Sequence, residues 1–404
     1  MTTASHSRLD CDVAIVGSGI VGLAHAVAAR RRGLSVALVD RADQPRGASV
    51  RNFGMVWPIG QPEGRLRARA LRSREVWLEL ASEAGYWIEE TGSLHLAYHA
   101  DEAAVLSELI AGAGPSAAGA LELIGPDAVI ERAPGVVRAG LLGALWSATE
   151  ACVDPREATT KLATWLGAAP GVTLLRGVAA VEAGVLAGGG HGVRLATGRV
   201  VWAPHVIVCP GEDLETLFPA HFAAAPITRC KLQMMRTAPQ PGAWRLGPML
   251  AAGSTLRHYA AFAACPSLAA VRARFTQERP LFDQFGIHVM ASQNGLGEVV
   301  LGDSHEYGAG FSPDSSAAID AAILEYAATF LTLPSPSPAA RWHGVYAKRT
   351  DGGTEQVFQP SPGVRVVAAL GGAGMTLSFG LAEEVLDDLL GVVAQPPDAA
   401  RRAT

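Results

Sequence analysis

Cysteine is scarce in this 404-residue chain: Cys11, Cys152, Cys209, Cys230 and Cys265, an odd number at wide spacing with no CxxC pair. That argues against a disulfide framework and against a zinc site, and it fits a reducing cytosol. No metal is expected. Excess charge of one sign is also missing. Lys and Arg number 33 against 38 Asp and Glu, a net charge of −5, so nothing favours a phosphate backbone and no nucleic-acid partner is expected. Long apolar runs are absent as well. The stretch from Val13 to Ala29 is interrupted by glycines, and no other run approaches the roughly 20 apolar residues of a membrane span. Met1 to Asp10 is polar and lacks the apolar core of a signal peptide. These absences predict a cytoplasmic protein without membrane contact.

What is present is enough to build a large core. Hydrophobic residues make up 49% and charged residues 18%, a balance that excludes disorder. The length corresponds to two or three domains at roughly 100–200 residues each. Forty-five glycines and 25 prolines imply many turns and close backbone approaches.

Val13 to Val16 is a short β-branched run and reads as a buried parallel strand. Gly17-Ser18-Gly19-Ile20-Val21-Gly22 follows at once, then helix composition over Leu23 to Arg32 with Gly33 as C-cap. Leu34 to Val39 is a second buried strand, ending in Asp40. Further helices are predicted over Arg65–Ala84, Asp101–Gly112, Pro155–Ala168, Ser315–Leu331 and Met375–Leu390. Strands are predicted over Trp87–Ala97, Val172–Glu182, Gly192–Leu195, Arg199–Trp202, His205–Cys209 and Val364–Leu370. Strand-like stretches at Cys230–Arg236, Leu256–Ala263, Ile287–Ser292 and Glu298–Leu301 predict an antiparallel sheet. A Pro/Ser linker, Pro334 to Pro338, follows the Ser315–Leu331 helix.

The strand, GxGxxG turn, helix and second strand form a dinucleotide fingerprint in its full context, with Asp40 lying 18 residues past Gly22. Gly17 allows the tight turn, Gly19 lets a pyrophosphate approach the backbone, and Gly22 lets the helix pack on the strand. The helix N-terminus offers free N–H groups to phosphates, and Asp40 offers an acceptor to ribose hydroxyls. The next strand of this sheet, His205–Cys209, comes only after a glycine-rich loop and a long insertion. A nucleotide domain split in this way favours FAD over NAD.

The chain resembles the D-amino-acid oxidase, glycine oxidase and sarcosine oxidase superfamily of FAD-dependent oxidoreductases. The residues that carry the resemblance are Asp12 to Asp40, the loop Gly47-Ala48-Ser49-Val50-Arg51-Asn52-Phe53-Gly54, Cys152-Val153-Asp154-Pro155, Val206 to Gly211, Trp342-His343-Gly344 and Gly371 to Thr376. Arg51 to Pro58 and Gly302 to Tyr307 are further similar to the group associated with phosphonate breakdown. The resemblance implies an α/β and α+β architecture: a Rossmann-like FAD-binding domain of glutathione-reductase type, with an inserted antiparallel-sheet substrate domain. The expected FAD domain is discontinuous, over 1–85, 150–215 and 341–404, and the substrate domain comprises 86–149 and 216–340. Expected cofactor contacts are Gly17, Ser18, Gly19, Ile20, Val21, Gly22, Asp40, Arg41, Ala48, Ser49, Arg51, Asn52, Phe53, Gly54, Val178, Pro210, Gly211, Gly372, Gly374, Met375 and Thr376. No cysteine lies beyond Cys265, where some relatives link their flavin, so the FAD is expected to be non-covalent.

The implied reaction is oxidative deamination. A hydride leaves the carbon beside the amine for flavin N5, and the imine is hydrolysed to an aldehyde. Rate then comes from positioning and from excluding water. The implied substrate is a small amine, an aminophosphonate related to 2-aminoethylphosphonate, with a 1-hydroxy or N-methyl derivative included. The acceptor is O2 or another electron carrier, and the sequence sets no oligomeric state. In glycine oxidase-like relatives an arginine after Trp-x-Gly grips the substrate carboxylate. Here Tyr346 stands near that position with Lys348 and Arg349 beyond it, which speaks against an ordinary amino acid and suits a phosphonate gripped by several donors. Arg257, His258, Tyr259 and His305 complete the candidate substrate residues. On a strand, Arg257 and Tyr259 would share one face and His258 the other. Arg65, Arg67, Arg69, Arg72 and Arg74 read as a solvated helix surface. The rival readings are a glycine, sarcosine or D-amino-acid oxidase or dehydrogenase, and a non-catalytic FAD-binding or electron-transfer subunit.

Overall fold

The computed structural model describes residues 8–117 and 119–391; the first seven residues of the polar N-terminus and the tail 392–404 lie outside the described residues. Its first sheet has six strands in the order Val172–Leu175, Val36–Val39, Val13–Val16, His205–Val208, Val364–Ala368 and Gln356–Phe358. The first five run parallel and the last closes an antiparallel hairpin. Residues alternate between its two faces, as a period of two requires. Val13, Ile15, Val36 and Leu38 pack with the helices Ile20–Arg31, Pro155–Ala168 and Gly374–Leu390. Ala14, Ala37 and Val39 pack with Val193, Leu195 and Val201 of a four-stranded sheet. This is the three-layer architecture expected of a dinucleotide domain.

A nine-stranded sheet forms the second body of the core. Its long central pair is Ile227–Pro239 against Pro338–Arg349, antiparallel, with Cys230 opposite Tyr346 and Gln233 opposite His343. Residues 341–349, expected in the flavin segment, are thus part of this sheet. Glu306–Gly308, Glu298–Gly302, Met290–Gln293 and Met249–Ala251 extend it. The Ala100–Ala111, Leu268–Glu278 and Ala317–Phe330 helices cover one face through Val105, Val271, Phe275, Ile319 and Phe330. A three-stranded sheet of Met55–Val56, Ala151–Val153 and Ile88–Glu89 lies beside these two sheets.

Several expectations need correction. Leu256–Ala263 is not a strand: a helical turn over Gly253–Leu256 and a 3-10 turn over Ala260–Phe262 occupy it. Trp87–Ala97 is two strands, Ile88–Glu89 and Ser93–Ala97, separated at Gly92 with φ 60°. Val172–Glu182 divides between two sheets. The first helix starts at Ile20, inside the glycine motif. The arginines of the Arg65–Ala84 helix are not a solvated surface. Arg69 is buried and bonds to Glu384 and Glu355, and Arg72 bonds to Glu383. Arg65, Arg69 and Arg72 clamp this helix to the C-terminal one, while Arg67 and Arg74 pair with Glu63 and Glu90. Among the described residues no helix is long and apolar enough to cross a membrane.

Candidate active site

The glycine turn is shaped by contacts that exclude side chains. Gly17 has φ 99°, and a Cβ there would stand 2.2 Å from the Cys209 carbonyl oxygen. A Cβ on Gly22 would stand 1.8 Å from the Gly17 carbonyl. The helix after the turn has no side-chain cap of its own, and its Ile20 N–H donates to Ser49 Oγ at 2.9 Å. Asp40 braces the turn. Its Oδ2 accepts from the Ser18 N–H at 2.6 Å and from Ser18 Oγ at 2.7 Å, and its Oδ1 accepts from the Ala42 N–H. Three of roughly four carboxylate acceptor sites are so taken, leaving one for a ligand.

One cavity of about 1220 Å³ runs from this turn. Gly17, Gly19, Ile20, Val21, Gly22, Asp40, Arg41, Ala48, Ser49, Arg51, Asn52 and Phe53 line it, as do Pro210, Gly211, Gly372, Gly374, Met375 and Thr376. Ser18, Gly54 and Val178 do not. Ser18 points to Asp40, Gly54 packs on the Val153 carbonyl, and the Val178 N–H bonds to the Asp40 carbonyl. Asn52 is a loop brace: its amide donates to the Ala48 and Ser49 carbonyls and accepts from the Gly54 N–H. Arg51 donates to the His343 carbonyl at 3.0 Å, joining the loop to the large sheet.

The same cavity receives all six candidate substrate residues, Arg257, His258, Tyr259, His305, Tyr346 and Lys348. Arg257 pairs with Asp283 through Nη2, while its buried Nε and Nη1 have no partner. Lys348 Nζ reaches the Tyr307 hydroxyl at 3.3 Å and, among the described residues, pairs with no carboxylate. Burial, followed by Cys230 and Asp303, raises the Tyr346 phenol well above its ordinary value, so it stays protonated. Lys231 lies elsewhere: its buried ammonium bonds to the Ser312 and Asp314 carbonyls.

Sequence reasoning missed how the histidines meet. His258, His288 and His305 converge, with ring centroids 3.9, 4.6 and 5.1 Å apart. Burial lowers His258 well below its ordinary value, helped by His288, His305 and Lys348. Burial also lowers His305 to about 4, against the pull of Asp303. Burial opposes ionisation of Asp303, yet His305 and His288 outweigh it and hold the carboxyl below its ordinary range. His288 and Asp303 carry no local signal, because only backbone hydrogen bonds just beyond the paired strands Met290–Gln293 and Glu298–Gly302 bring them together. Trp57 is 2% exposed and also lines the cavity.

Residues 12–387 match the model of the DAO family, described as FAD dependent oxidoreductase. The chain belongs to this family. A D-amino-acid oxidase of Streptomyces coelicolor is 38% identical over 86 residues, 21% of this chain and 27% of that protein. The bifunctional protein ThiO/ThiG of Nostoc sp. is 30% identical over 238 residues, 56% of this chain and 34% of that protein. The matches therefore span about a quarter to a third of these curated relatives. The glycine oxidase structure from Geobacillus kaustophilus superposes with a TM-score of 0.74 at 19% identity, covering 97% of this chain and 98% of that one.

FAD is the cofactor of this family member, and the cavity fits it. The glycine cradle, which a Cβ at Gly17 or Gly22 would destroy, admits backbone approach by a pyrophosphate. The helix N-terminus beyond it supplies a partial positive charge for that group. Asp40 keeps an acceptor site beside the turn.

Proposed function

We propose that the protein oxidises an amine carrying a phosphonate group, a compound related to 2-aminoethylphosphonate, to the corresponding aldehyde. The observation that supports this reading is the pair of cations lining the cavity: Lys348, without a carboxylate, and Arg257, which pairs with Asp283 and lies over the Phe275 ring but keeps two buried N–H donors without a hydrogen bond. Unpaired buried donors are costly, and a substrate anion would satisfy them. A tetrahedral dianion suits several converging donors better than one planar carboxylate. The neutral Tyr346 hydroxyl, which also lines the cavity, adds a further donor.

Bound FAD supplies the hydride acceptor. The chain's own residues do the positioning. Lys348, Arg257 and Tyr346 hold the anion and so set the angle of the carbon to be oxidised. Trp57, Leu232 and Met234 line the walls, displace water and favour the neutral amine. Water then hydrolyses the released imine. In this reading the flavin segments are 1–85, 150–215 and 341–404, with 341–349 reaching into the large sheet, the substrate segments are 86–149 and 216–340, and FAD is held without a covalent bond. Cys209 is the one cysteine that lines the cavity among the described residues, and burial pushes its thiol up, away from the reactive thiolate. Acid precipitation should release all the flavin into the supernatant.

A second reading, oxidation of glycine, sarcosine or a D-amino acid, has the likeness to a D-amino-acid oxidase behind it. Product analysis separates the two. Phosphorus NMR of 2-aminoethylphosphonate incubated with the FAD-loaded protein and a dye acceptor should show conversion to phosphonoacetaldehyde. Unchanged phosphonate beside turnover of D-alanine or glycine would overturn the proposal in favour of the second reading.

A further inference from the structure

We propose that His258, His288, His305 and Asp303 form a binding site for a divalent transition-metal ion that opens on the active-site cavity. The proposal is independent of which amine is oxidised.

The three imidazoles each offer a ring nitrogen, and these atoms lie within 4.8 Å of one another. Ligand nitrogens around a tetrahedral ion with bonds of about 2.0–2.1 Å stand roughly 3.3 Å apart. Small side-chain rotations close that difference. All four residues line the cavity.

Asp303 is the second observation. It is 4% exposed, and no Lys or Arg among the described residues pairs with it. Its Oδ1 lies 3.0 Å from His288 Nε2, but out of line with the ring N–H, so that buried oxygen has no well-aligned donor. Its Oδ2 lies 3.9 Å from His305 Nε2. A cation between this carboxylate and the ring nitrogens would give the buried Oδ1 a partner and be held by both kinds of ligand.

The third observation is the orientation of His305. Its Nδ1 stands 3.0 Å from the Gly286 carbonyl oxygen. A carbonyl only accepts, so Nδ1 carries the proton and Nε2 presents a bare lone pair toward Asp303. A carbonyl behind the ring is the usual device that aims a metal-binding imidazole. His288 and Asp303 are fixed opposite each other by mutual backbone hydrogen bonds of 3.1 and 2.7 Å. His288 Nδ1 is buried and has no partner.

Three imidazoles and one carboxylate, without a thiolate, suit Zn(II) or a neighbouring first-row divalent ion and do not suit Ca(II) or Mg(II). Histidines 30 and 17 residues apart in sequence match no short zinc motif, which is why composition argued against a metal.

The test uses the full-length, FAD-loaded protein without an affinity tag, dialysed against chelator and titrated with Zn(II). Calorimetry and elemental analysis after gel filtration should give about one zinc per chain, with Kd below about 1 μM. Asp303→Asn should weaken binding about 10- to 100-fold, and His288→Ala should abolish it while the visible flavin band persists. Wild-type protein that takes up no zinc, nickel or manganese would overturn the proposal. So would zinc binding that both variants retain in full. If the variants fail to hold flavin, X-ray absorption of the zinc-loaded wild type decides. About three nitrogen ligands near 2.0 Å support the site, whereas sulfur ligands or an all-oxygen shell overturn it.

Discussion

Trp57 donates its backbone N–H to the Thr376 hydroxyl oxygen at 3.0 Å, across 319 residues of sequence. Both residues are buried, and both line the flavin cavity. The bond joins the segment after the Arg51–Gly54 loop to the first turn of the C-terminal helix, so the two walls of the cofactor site are set together. Thr376→Val keeps the shape and strands the Trp57 N–H. It should cost about 1–3 kcal/mol, read by urea denaturation, and lower the flavin bound per chain. Thr376→Ser should restore both. Unchanged stability and flavin content in Thr376→Val would show the bond to be dispensable.

Asp154 ties the expected flavin segment to the large sheet. It caps the Pro155–Ala168 helix by accepting from the Arg156 N–H at 2.9 Å, pairs with the Arg156 guanidinium at 2.6 Å, and accepts from Asn294 Nδ2 at 3.0 Å. Burial opposes its charge, but Arg156 and the backbone donors outweigh burial and lower its pKa. A lowered carboxyl pKa stabilises the fold above the unfolded value of about 3.9, and that stability is lost as pH falls through the lower folded value. Asp154→Asn should therefore cost about 1–2 kcal/mol at pH 7, and the gap from wild type should close in acid. A gap that stays constant with pH would contradict this assignment.

Gly17 leaves no room for a side chain: φ is 99° and a Cβ would meet the Cys209 carbonyl at 2.2 Å. Gly17→Ala should yield protein with little or no flavin, measured as the ratio of visible to ultraviolet absorbance. Full flavin occupancy in this variant would contradict the cradle described above.

Lys348→Met removes a cavity cation while keeping the length of the side chain. If Lys348 grips the substrate anion, KM should rise about 10-fold or more with a smaller change in kcat, since a charge-assisted bond contributes roughly 1.5–3 kcal/mol. Unchanged steady-state constants would remove it from the site.

Much of the six-stranded sheet and its glycine turn was legible in the sequence because the signals are local. The continuous apolar runs Val13–Val16 and Val36–Val39, the glycine spacing between them and the acid at Asp40 lie close together in the sequence. The Arg65–Ala84 helix was legible in extent but misread in surface, since Glu383 and Glu384, which neutralise Arg72 and Arg69, arrive from a helix more than 300 residues away. Leu256 to Ala263 has mixed composition, and tertiary packing of Leu256 and Phe262 into the core settles it as helical turns. The histidine cluster was illegible for the same reason as Glu384: tertiary contacts, here the backbone bonds of His288 to Asp303 and of His305 to Phe285, rather than sequence spacing, bring the rings together.

Anaerobic flavin reduction separates the phosphonate substrates from the amino acids in one experiment. FAD-loaded protein is mixed without oxygen with 2-aminoethylphosphonate, its 1-hydroxy and N-methyl derivatives, glycine, sarcosine and D-alanine, and the visible flavin band is followed in time. Rapid bleaching by one or more of the phosphonates, and none by the amino acids, is the expected result. Bleaching by glycine, sarcosine or D-alanine, with the phosphonates inert, would contradict it.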